Sequence, residues 1–386
     1  MAKNYKDGKK NSYKKKKAKV RKIITLIALL LVVVFVIVCY FNPSFYDKIL
    51  NLFVDSPLNK DIDRTDYYTN EEGYVTIHVI DIGQGDAILI QLPDTKNILI
   101  DTGDLDLDNN KKLVDYINNL EITTIDYLLA THADADHIGG MEEVFLNFNV
   151  KKVFRPYVQY SGTKFNFESN YNEGATKYKQ SSNAYGKFLD FINKEEFLLD
   201  EKLSVCEWEY FDLNSDFGGK IIYNDSEIEY TFDFLSPVTE YSQVNYEDAN
   251  DYSPIIKFSY GDFDFLLTGD AEAEAEEDFV EYYSKNNQYK EFVDVDFLKV
   301  SHHGSSTSTT QAFLDLVKPE KAVISCGEGN SYGHPTQPTL DRLLEFGCSL
   351  YRTDKNGDVK IIVDSKGEFS VETQKQGTDL FLAPVA

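Results

Sequence analysis

The stretch Thr131-His-Ala-Asp-Ala-Asp-His-Ile-Gly-Gly140 decides how this chain of 386 residues is interpreted. It follows the apolar, strand-like run 125–130 and carries four potential metal ligands: His132, Asp134, Asp136 and His137. Histidines and carboxylates this close together would repel one another or stay unpaired in a protein core, and a bound cation removes that cost. The alternative is a polar loop that only caps the next segment. The density of ligands favours a metal site.

The other histidines support a metal site, because most of them also fall in short polar clusters. The chain has six histidines, and His302, His303 and His334 lie outside the first cluster. We expect one of the adjacent pair to ligate, His303 rather than His302, while the other orients a substrate phosphate or moves a proton. For His334, in a loop, a substrate-binding or proton-donating role and a simple turn role fit the spacing almost equally well. His78, inside an alternating strand pattern, is expected to be structural.

Carboxylates at other strand ends complete the expected site. Leu266-Leu-Thr-Gly-Asp270 ends an apolar run, and its aspartate is predicted to bridge two ions rather than only to form a turn. His132 and Asp134 are placed to face one ion, and Asp136 and His137 to face its neighbour. Asp136 could also accept a proton during hydrolysis. Two aspartates after earlier strands are predicted to orient loops and ligating histidines: Asp81 and Asp101.

The N-terminus predicts a membrane anchor. The first 22 residues, a basic arm, carry eleven Lys or Arg and one acidic residue, and residues 23–41 form an apolar run interrupted only by Thr25. At about 1.5 Å per residue such a helix crosses a hydrocarbon core of about 30 Å. The positive-inside bias places the arm in the cytoplasm and the following domain outside the cell. A cleaved signal peptide is the alternative, but the run is longer than its usual apolar core.

The charge of the remaining chain limits its partners. After residue 22, 28 Lys or Arg stand against 63 acidic residues, a net charge near −35. A nucleic-acid-binding protein ordinarily presents a basic stripe, and no basic run follows Lys22. The charge is also explained by the solubility of an exported domain. Cys206, Cys326 and Cys348 match neither a disulfide framework nor a zinc motif, so they are predicted to be buried or free thiols.

Alternating strand and helix patterns predict one large α/β domain over residues 74–372, after a linker (42–73) and before a C-terminal tail (373–386). The first part of the region 157–245 is expected to be an insertion or cap, and its last part to contain more strands. The predicted strands are 74–82, 86–91, 97–100, 125–130, 227–235, 255–260, 264–267, 293–300 and 321–325. The predicted helices are 110–120, 273–285 and 310–317.

In chain order, the motifs resemble the metallo-β-lactamase fold, and within it the branch represented by the external domain of the DNA-uptake protein ComEC. The matching motifs are Val79-Ile-Asp-Ile-Gly-Gln-Gly-Asp-Ala-Ile-Leu89, Leu99-Ile-Asp-Thr-Gly103, His132-Ala-Asp-Ala-Asp-His-Ile-Gly-Gly140, Leu266-Leu-Thr-Gly-Asp270, Lys299-Val-Ser-His-His-Gly-Ser305 and Tyr332-Gly-His-Pro335. The resemblance implies an αββα sandwich with its site at one sheet edge, two divalent ions, and hydrolysis by a metal-activated water. It also implies residues that support the ligands or touch substrate: Asp81, Gln84, Asp86, Asp101, Asn250 and Ser305.

Two positions depart from the wider superfamily. Asp134 stands where the usual motif has a second histidine, as the ComEC-like branch also has it, and Asn250 replaces the histidine that normally precedes the Thr-Gly-Asp strand. Both changes exchange nitrogen ligands for oxygen ligands, so the site should accept Mn²⁺ or Mg²⁺ more readily, while Zn²⁺ stays open. We therefore expect two divalent ions, Zn²⁺ or Mn²⁺, with the second bound less securely.

Together these features predict a membrane-anchored, extracellular, metal-dependent hydrolase of phosphodiesters, either a phosphodiesterase or a nuclease. Its catalytic residues are expected to be Asp136, His302 and His334. One alternative is a hydrolase of a small or cell-envelope phosphodiester, similar to a phosphorylcholine esterase. Another is a binding protein that keeps the fold without catalysis, which an intact ligand set argues against. The sequence names no protein partner.

Overall fold

A computed structural model describes most of the chain from Gly73 onward: residues 73–165, 175–193, 207–210, 216–223, 226–238, 244–286 and 293–375. These residues belong to one of the two compact units of the chain, Tyr68–Ala386. The predicted basic arm and membrane helix (23–41), nearly all of the linker and the tail beyond residue 375 lie outside the described residues. None of the helices within the described ranges is both long and apolar enough to span a bilayer.

The described strands and helices alternate in the way the sequence predicts. The strands are β1 (Val75–Val79), β2 (Ile88–Gln91), β3 (Asn97–Ile100), β4 (Thr124–Leu129), β5 (Asn149–Arg155), β6 (Val158–Tyr160), β7 (Ala175–Gln180), β8 (Glu207–Tyr210), β9 (Asp216–Tyr223), β10 (Ser226–Ser236), β11 (Ile255–Tyr260), β12 (Phe263–Leu267), β13 (Phe297–Lys299), β14 (Lys321–Ile324), β15 (Ser349–Arg352), β16 (Val359–Val363) and β17 (Phe369–Thr373). The helices are α1 (Leu107–Asn119), α2 (Ala135–Ile138), α3 (Met141–Asn147), α4 (Asn183–Asn193), α5 (Ala273–Lys285), α6 (Gln311–Val317), α7 (Gln337–Phe346) and α8 (Thr353–Asn356).

Two large sheets form the centre of the domain. The first has the strand order β17-β16-β1-β2-β3-β4-β5-β8, and the second has the order β15-β14-β13-β12-β11-β10-β9. A small third sheet pairs β6 with β7. β3, β4 and β5 run parallel in the first sheet, and β12, β13, β14 and β15 run parallel in the second. Parallel neighbours end at the same sheet edge, so the loops after β3 and β4, and those after β12, β13 and β14, are brought together.

The sheets face each other across one hydrophobic core. Ile88 and Ile90 of β2 lie in this core together with Phe258 and Phe265 of the second sheet, whereas Leu89 is buried outside it. This alternation follows from the two-residue period of a strand, which sends successive side chains to opposite faces. Helix α3 packs against β5 of the first sheet and α5 against β10 of the second. The predicted α/β sandwich is thus confirmed as helix, sheet, sheet and helix layers.

Local interactions move several boundaries away from the sequence predictions. Helix α1 begins before residue 110, because the Asp106 carboxylate accepts the N–H groups of Asp108 and Asn109 and caps the helix at an earlier turn. The predicted strand 293–300 was too long. Its first part hydrogen-bonds outside a strand ladder, with Val295 N donating to Val317 O at 2.9 Å, and only Phe297–Lys299 pairs as a strand.

Residues predicted to be structural occupy buried positions. His78 lies in β1, where its Nδ1 is 2.9 Å from the Tyr116 hydroxyl and its Nε2 is 3.0 Å from Gln91 Oε1. Burial lowers the pKa of His78 to about 3, so the ring is neutral at physiological pH. Cys326 and Cys348 are buried free thiols, as predicted, and Cys206 lies outside the described residues.

Candidate metal centre

Four side chains from the two sheets converge at the shared sheet edge. Asp136 and His137 follow β4 of the first sheet, while Asp270 follows β12 and His303 follows β13 of the second. His137 Nε2 lies 3.3 Å from His303 Nε2 and 3.2 Å from Asp270 Oδ2. His303 Nε2 lies 3.4 Å from Asp270 Oδ2 and 3.5 Å from Asp136 Oδ2. The Nε2 atoms of the two histidines and Asp270 Oδ2 therefore lie within 3.4 Å of one another, and Asp136 Oδ2 adjoins the His303 side of this group.

The spacing of these four atoms fits a metal ion. Protein ligands bind Zn²⁺ at about 2.0–2.2 Å in a tetrahedron, which places neighbouring ligand atoms roughly 3.3–3.5 Å apart. The four measured separations between cluster atoms run from 3.2 to 3.5 Å. Without a cation, two imidazole Nε2 atoms would face each other beside two carboxylates, an arrangement that must take up protons to be stable. The donor set thus suits a small divalent cation, and we refer to Asp136, His137, Asp270 and His303 as the metal cluster.

Asp101 fixes the orientation of His137. Its Oδ2 accepts the Nδ1–H of His137 at 2.7 Å, and both side chains are fully buried. The same carboxylate accepts the Thr131 backbone N–H at 2.8 Å and the Thr131 hydroxyl at 2.6 Å. With Nδ1 carrying the proton, the Nε2 lone pair is left to point into the metal cluster. Asp101 has φ +56°, a left-handed backbone that is uncommon outside glycine and is held here by these bonds.

His303 is oriented from the opposite side. Its Nδ1–H donates to the Ser325 carbonyl at 2.8 Å, which leaves Nε2 for a metal. Asp86 Oδ1 lies 3.4 Å from the same Nδ1 and has no hydrogen-bond partner among the described residues. The other Asp86 oxygen pairs with Lys299 Nζ at 2.8 Å, and both of these side chains are buried.

Asp86 lies close enough to be counted with three cluster members. The ligand-capable atoms of Asp86, His137, Asp270 and His303 lie within 4.8 Å of one another. We nevertheless assign the fourth donor to Asp136, because its Oδ2 lies beside the Nε2 of His303. Asp86 contacts the Nδ1 side of that ring, and its charge is already paired with Lys299. Asp86 therefore contacts His303 on the Nδ1 side of the ring, opposite the cluster, and helps to orient it.

His132 supplies a second set of potential ligands. Its Nδ1 is 3.2 Å from Thr131 Oγ1 and 3.3 Å from Ser253 Oγ, while its buried Nε2 has no partner among the described residues. Asp270 Oδ1 is also buried without a partner there. Both atoms are ready-made metal donors whose burial would otherwise be costly. Asp134 lies half-buried nearby in sequence, and its Oδ1 accepts the Gln180 Nε2–H at 2.9 Å.

His302 stands beside the metal cluster rather than in it. Its Nε2 is 3.7 Å from Asp270 Oδ2, and its Nδ1 lies 2.6 Å from Glu272 Oε1. Asn250 Nδ2 donates to the same Glu272 oxygen at 3.3 Å and lies 3.4 Å from His302 Nδ1. Both histidines of the pair have left-handed backbones, with φ +45° for His302 and +52° for His303. The chain bends sharply enough here to aim one ring inward and leave the other at the rim.

The pKa values of the cluster histidines show that the cluster stabilises positive charge. Burial alone would lower the pKa of His303, but nearby carboxylates, Asp270 first, raise it to about 10. Burial would also lower the pKa of His137. The negative charges of Asp270 and Asp101 outweigh this effect and raise the pKa well above its ordinary value. Burial and the neighbouring His137 lower the pKa of His132 to about 4, which keeps its lone pair available. Protons on these rings occupy the place that a cation fills when metal binds.

His334 lies in the loop between β14 and α7, next to the histidine pair. Its ring centroid is 5.3 Å from that of His302 and 6.5 Å from that of His303. Its buried Nδ1 has no partner among the described residues. Tyr332 stacks on the outer side of His334, at 5.9 Å and an interplanar angle of 26°.

The remaining predicted residues lie around the cluster and hold its loops. Asp81 Oδ1 accepts the Gly83 N–H at 3.3 Å, and Asp81 Oδ2 lies 3.5 Å from Lys112 Nζ. Gln84 Oε1 accepts the Gly327 N–H at 3.3 Å. The Ser305 hydroxyl is 2.7 Å from that of Thr307. None of the described contacts of these side chains reaches a cluster atom.

The sequence interpretation missed several residues that hold the site. Lys299, Glu272, Gln180 and Ser253 each contact a predicted site residue. Of these four residues, only Lys299 could have been predicted from the sequence, because a lysine inside a buried apolar strand needs a partner of opposite charge. Gln180 comes from the insertion 46 residues beyond Asp134, and no local pattern predicts that contact.

Residues 80–209 match the family described as the metallo-beta-lactamase superfamily. The chain carries a metallo-beta-lactamase domain. Its similarity to competence proteins confirms the ComEC-like resemblance. The chain is 27% identical to ComE operon protein 3 of Bacillus subtilis (strain 168), over 79% of this chain and 35% of that protein. It is also 27% identical to competence protein ComA of Neisseria gonorrhoeae, over 74% of this chain and 32% of that protein.

The chain thus spans about a third of the length of these two competence proteins. Among solved structures it matches a diphosphatase of the PhnP family at 12% identity and a TM-score of 0.33, over 65% of this chain and 86% of that one.

Proposed function

We propose that this metallo-beta-lactamase superfamily hydrolase cleaves phosphodiesters with divalent metal ions. The observation that carries the proposal is the convergence of two histidine Nε2 atoms and two carboxylate oxygens at separations of 3.2–3.5 Å. Asp136, His137, Asp270 and His303 would hold one ion. His132, Asp134 and the second oxygen of Asp270 would hold another, with Asp270 as the bridge.

Divalent ions in such a site act as Lewis acids and make water a nucleophile near neutral pH. The chain's own residues do the rest. His137 and His303 keep their protons on Nδ1 because Asp101 and the Ser325 carbonyl accept them. Asp136, partly exposed at the rim, can accept a proton from an incoming water. His302 is held by Glu272 beside the cluster, where it can steady a phosphate oxygen or donate a proton to the leaving group.

The mixed nitrogen and oxygen donors fit Zn²⁺ and Mn²⁺ better than a purely soft or purely hard ion. We propose these two ions as candidates. Metal content after purification, measured by elemental analysis, and activity after exchange into each ion distinguish them. Two ions per chain are expected with His132 intact, and one with His132→Ala.

Charge limits the substrate class. The chain has a net charge of −25, and Lys299, which pairs with Asp86 beside the metal cluster, is fully buried in that ion pair. A long polyanion therefore finds no basic track here, and its phosphates must be neutralised by the metal. We infer a short single-stranded segment of nucleic acid, or a diester carried on an envelope polymer, rather than bulk duplex DNA.

We also propose that residues 23–41 anchor the protein in a cell membrane with the basic arm (1–22) in the cytoplasm and the domain outside. The composition of these residues supports this topology. Single cysteines placed before residue 22 and after residue 42 can be labelled with an impermeant reagent in intact cells. The proposal expects labelling only of the second, and the reverse pattern would contradict it.

The deciding experiment is hydrolysis of bis(p-nitrophenyl) phosphate, and then of a single-stranded oligonucleotide, by the full-length protein loaded with Mn²⁺ or Zn²⁺. Asp136→Asn should abolish activity on both substrates. Asp126→Asn is the control, because Asp126 is a buried aspartate that accepts hydrogen bonds from Lys151 and the Asn97 N–H and has no described contact with a cluster residue.

Each outcome separates the alternatives. Activity on both substrates that is lost only in Asp136→Asn supports a nuclease. Activity on the small ester alone supports an envelope substrate. Metal-loaded protein that hydrolyses neither would favour a binding role, and equal loss in the two variants would mean that folding rather than chemistry is affected.

A further inference from the structure

An exposed aromatic side chain stands at the rim of the metal centre. Tyr332 is 66% exposed, which makes it one of four large apolar side chains that are exposed within the described ranges. The other three, Leu105, Leu107 and Leu146, lie in or beside helices α1 and α3. Tyr332 differs from these three in its ring contact with His334, which lies beside the histidine pair.

The loop that carries Tyr332 is held in place by Asn330. Its Oδ1 accepts the N–H groups of Tyr332 at 3.2 Å and of His334 at 3.1 Å. Its Nδ2 donates to the carbonyls of Gly327 at 3.0 Å and of His334 at 2.5 Å. An aromatic ring on a loop already fixed by four hydrogen bonds loses little conformational entropy when a ligand binds. The exposure of Tyr332 is therefore built into the loop.

The ring of Tyr332 is connected to the metal centre through a stack of aromatic rings. It lies nearly parallel to His334 at 5.9 Å, and His334 in turn lies 6.5 Å from the cluster residue His303 and 5.3 Å from His302. One intervening ring thus separates Tyr332 from a metal donor. A substrate whose phosphate sits at the cluster has its neighbouring group beside Tyr332.

We propose that Tyr332, supported by His334, is a stacking platform for one nucleobase of a single-stranded nucleic acid whose adjacent phosphodiester lies at the metal cluster. The inference rests on the proposed phosphodiesterase function and names its substrate class. Base stacking on an aromatic side chain is independent of sequence and needs no basic groove, which suits this acidic chain.

The flat geometry favours a base over a quaternary ammonium group such as choline. Cation recognition ordinarily uses several aromatic faces arranged as a cage. Tyr332 offers one open face, because its other face is stacked on His334. A planar ring gains most from such a single flat surface, whereas a rounded cation gains least.

The test compares a ten-nucleotide single-stranded oligonucleotide with an abasic strand of the same length, using the full-length Mn²⁺-loaded protein. The readout is the ratio of kcat/KM for the base-bearing strand to that for the abasic strand. Stacking of one base is expected to make this ratio about 5 to 150 in the wild-type protein. Tyr332→Ala should bring the ratio close to one, and Tyr332→Phe should keep it, because the phenyl face is retained. Leu107→Ala, which removes a similarly exposed apolar side chain at the start of helix α1, is the matched control.

Binding of the same two strands, followed by fluorescence anisotropy with Asp136→Asn protein, gives a readout that does not need hydrolysis. The base-bearing strand should bind more tightly, and the added change Tyr332→Ala should remove that preference. A preference that survives Tyr332→Ala overturns the platform, whether or not the protein is catalytic. If Tyr332→Ala instead weakens hydrolysis of p-nitrophenyl phosphorylcholine and leaves the strand ratio unchanged, the platform binds an ammonium group and the nucleobase assignment is wrong. A platform that persists in binding without hydrolysis of any diester would refute only the proposed function.

Discussion

Replacing Lys299 by Met tests whether a buried ion pair holds His303 in place. Lys299 Nζ lies 2.8 Å from Asp86 Oδ2, and both side chains are essentially without solvent exposure. The same ammonium donates to the Val300 carbonyl at 2.9 Å. Lys299→Met keeps the length and the apolar stem of the side chain but leaves the buried Asp86 carboxylate without its ammonium partner. The free energy of unfolding of the metal-free protein should fall by about 3–5 kcal/mol.

The pKa of Asp86 shows how much its charged neighbours stabilise the buried carboxylate. Burial alone would raise the pKa of Asp86, but Lys299, followed by His303, lowers it from 3.8 to about 2. At about 1.4 kcal/mol per pH unit, the depression corresponds to roughly 2 kcal/mol of stability. Because the folded-state pKa is depressed, this stability is present above pH 3.8 and is lost as the pH falls through about 2. This contribution has the same sign and order of magnitude as the loss of about 3–5 kcal/mol expected for Lys299→Met.

A double-mutant cycle isolates the pair from other effects. Removing both charges with Asp86→Asn and Lys299→Met should cost less than the sum of the single changes, with a coupling of about 2–3 kcal/mol, because no buried charge is left alone. Urea unfolding in EDTA, followed by circular dichroism, measures each variant. Lys96→Met is the control, since Lys96 pairs with Asp94 at the same kind of distance, 2.7 Å, but is 37% exposed. That change should cost less than about 1 kcal/mol. Equal costs for Lys299→Met and Lys96→Met, or strict additivity in the cycle, would refute the reasoning.

Three further predictions concern metal, pH and salt. Saturation with metal at about 100 times its Kd should stabilise the protein by about 2.7 kcal/mol, seen as a rise of several degrees in Tm that EDTA reverses; an unchanged Tm would mean that the cluster binds no ion. In metal-free protein the pKa of His303 is raised from 6.5 to about 10, so its stabilising contribution is complete below pH 6.5 and lost as the pH rises through 10; His303→Gln should flatten this part of the stability profile measured by urea unfolding. Binding of single-stranded DNA to protein from which the basic arm (1–22) has been removed should depend only weakly on salt, with a slope of log K against log salt shallower than about −2, because no basic run that could release counterions follows Lys22; a slope near −5 would indicate a basic surface on the rest of the chain.

Much of the fold and the centre of the site follow from local sequence patterns. Polar clusters after apolar runs marked the ends of strands β4, β12 and β13. The parallel pairing of β12 with β13 brings two of these ends together, and the packing of the first sheet on the second adds the end of β4. Helix α7 was missed although its signals are present: Pro338 in its first turn, and Gly347 just beyond its end with φ +100°. The strands β15, β16 and β17 were also missed, because short amphipathic runs near the C-terminus resemble loops until their partners are known.

Contacts over long sequence separations could not be predicted from these patterns. The Asp86–Lys299 pair joins the first sheet to the second, and Gln180 approaches Asp134 from the insertion. Pairings of this kind depend on how two sheets pack, which no window of sequence encodes. The sequence favoured His303 over His302 as the ligand without a geometric reason. The left-handed turn at the two residues supplies one, because it places His303 Nε2 in the metal cluster.

The division of the four donors between two sheets makes a bound ion a cross-link. Asp136 and His137 belong to the first sheet and Asp270 and His303 to the second, so one ion would close a chain segment of more than a hundred residues. Like a disulfide that closes a long loop, such a cross-link restricts the unfolded chain more strongly than an ion bound by residues close together in sequence. Chelation should therefore loosen the packing of one sheet against the other throughout the core, and hydrogen exchange at strands β2 and β11, which contain none of the four donors, should report whether an ion is bound.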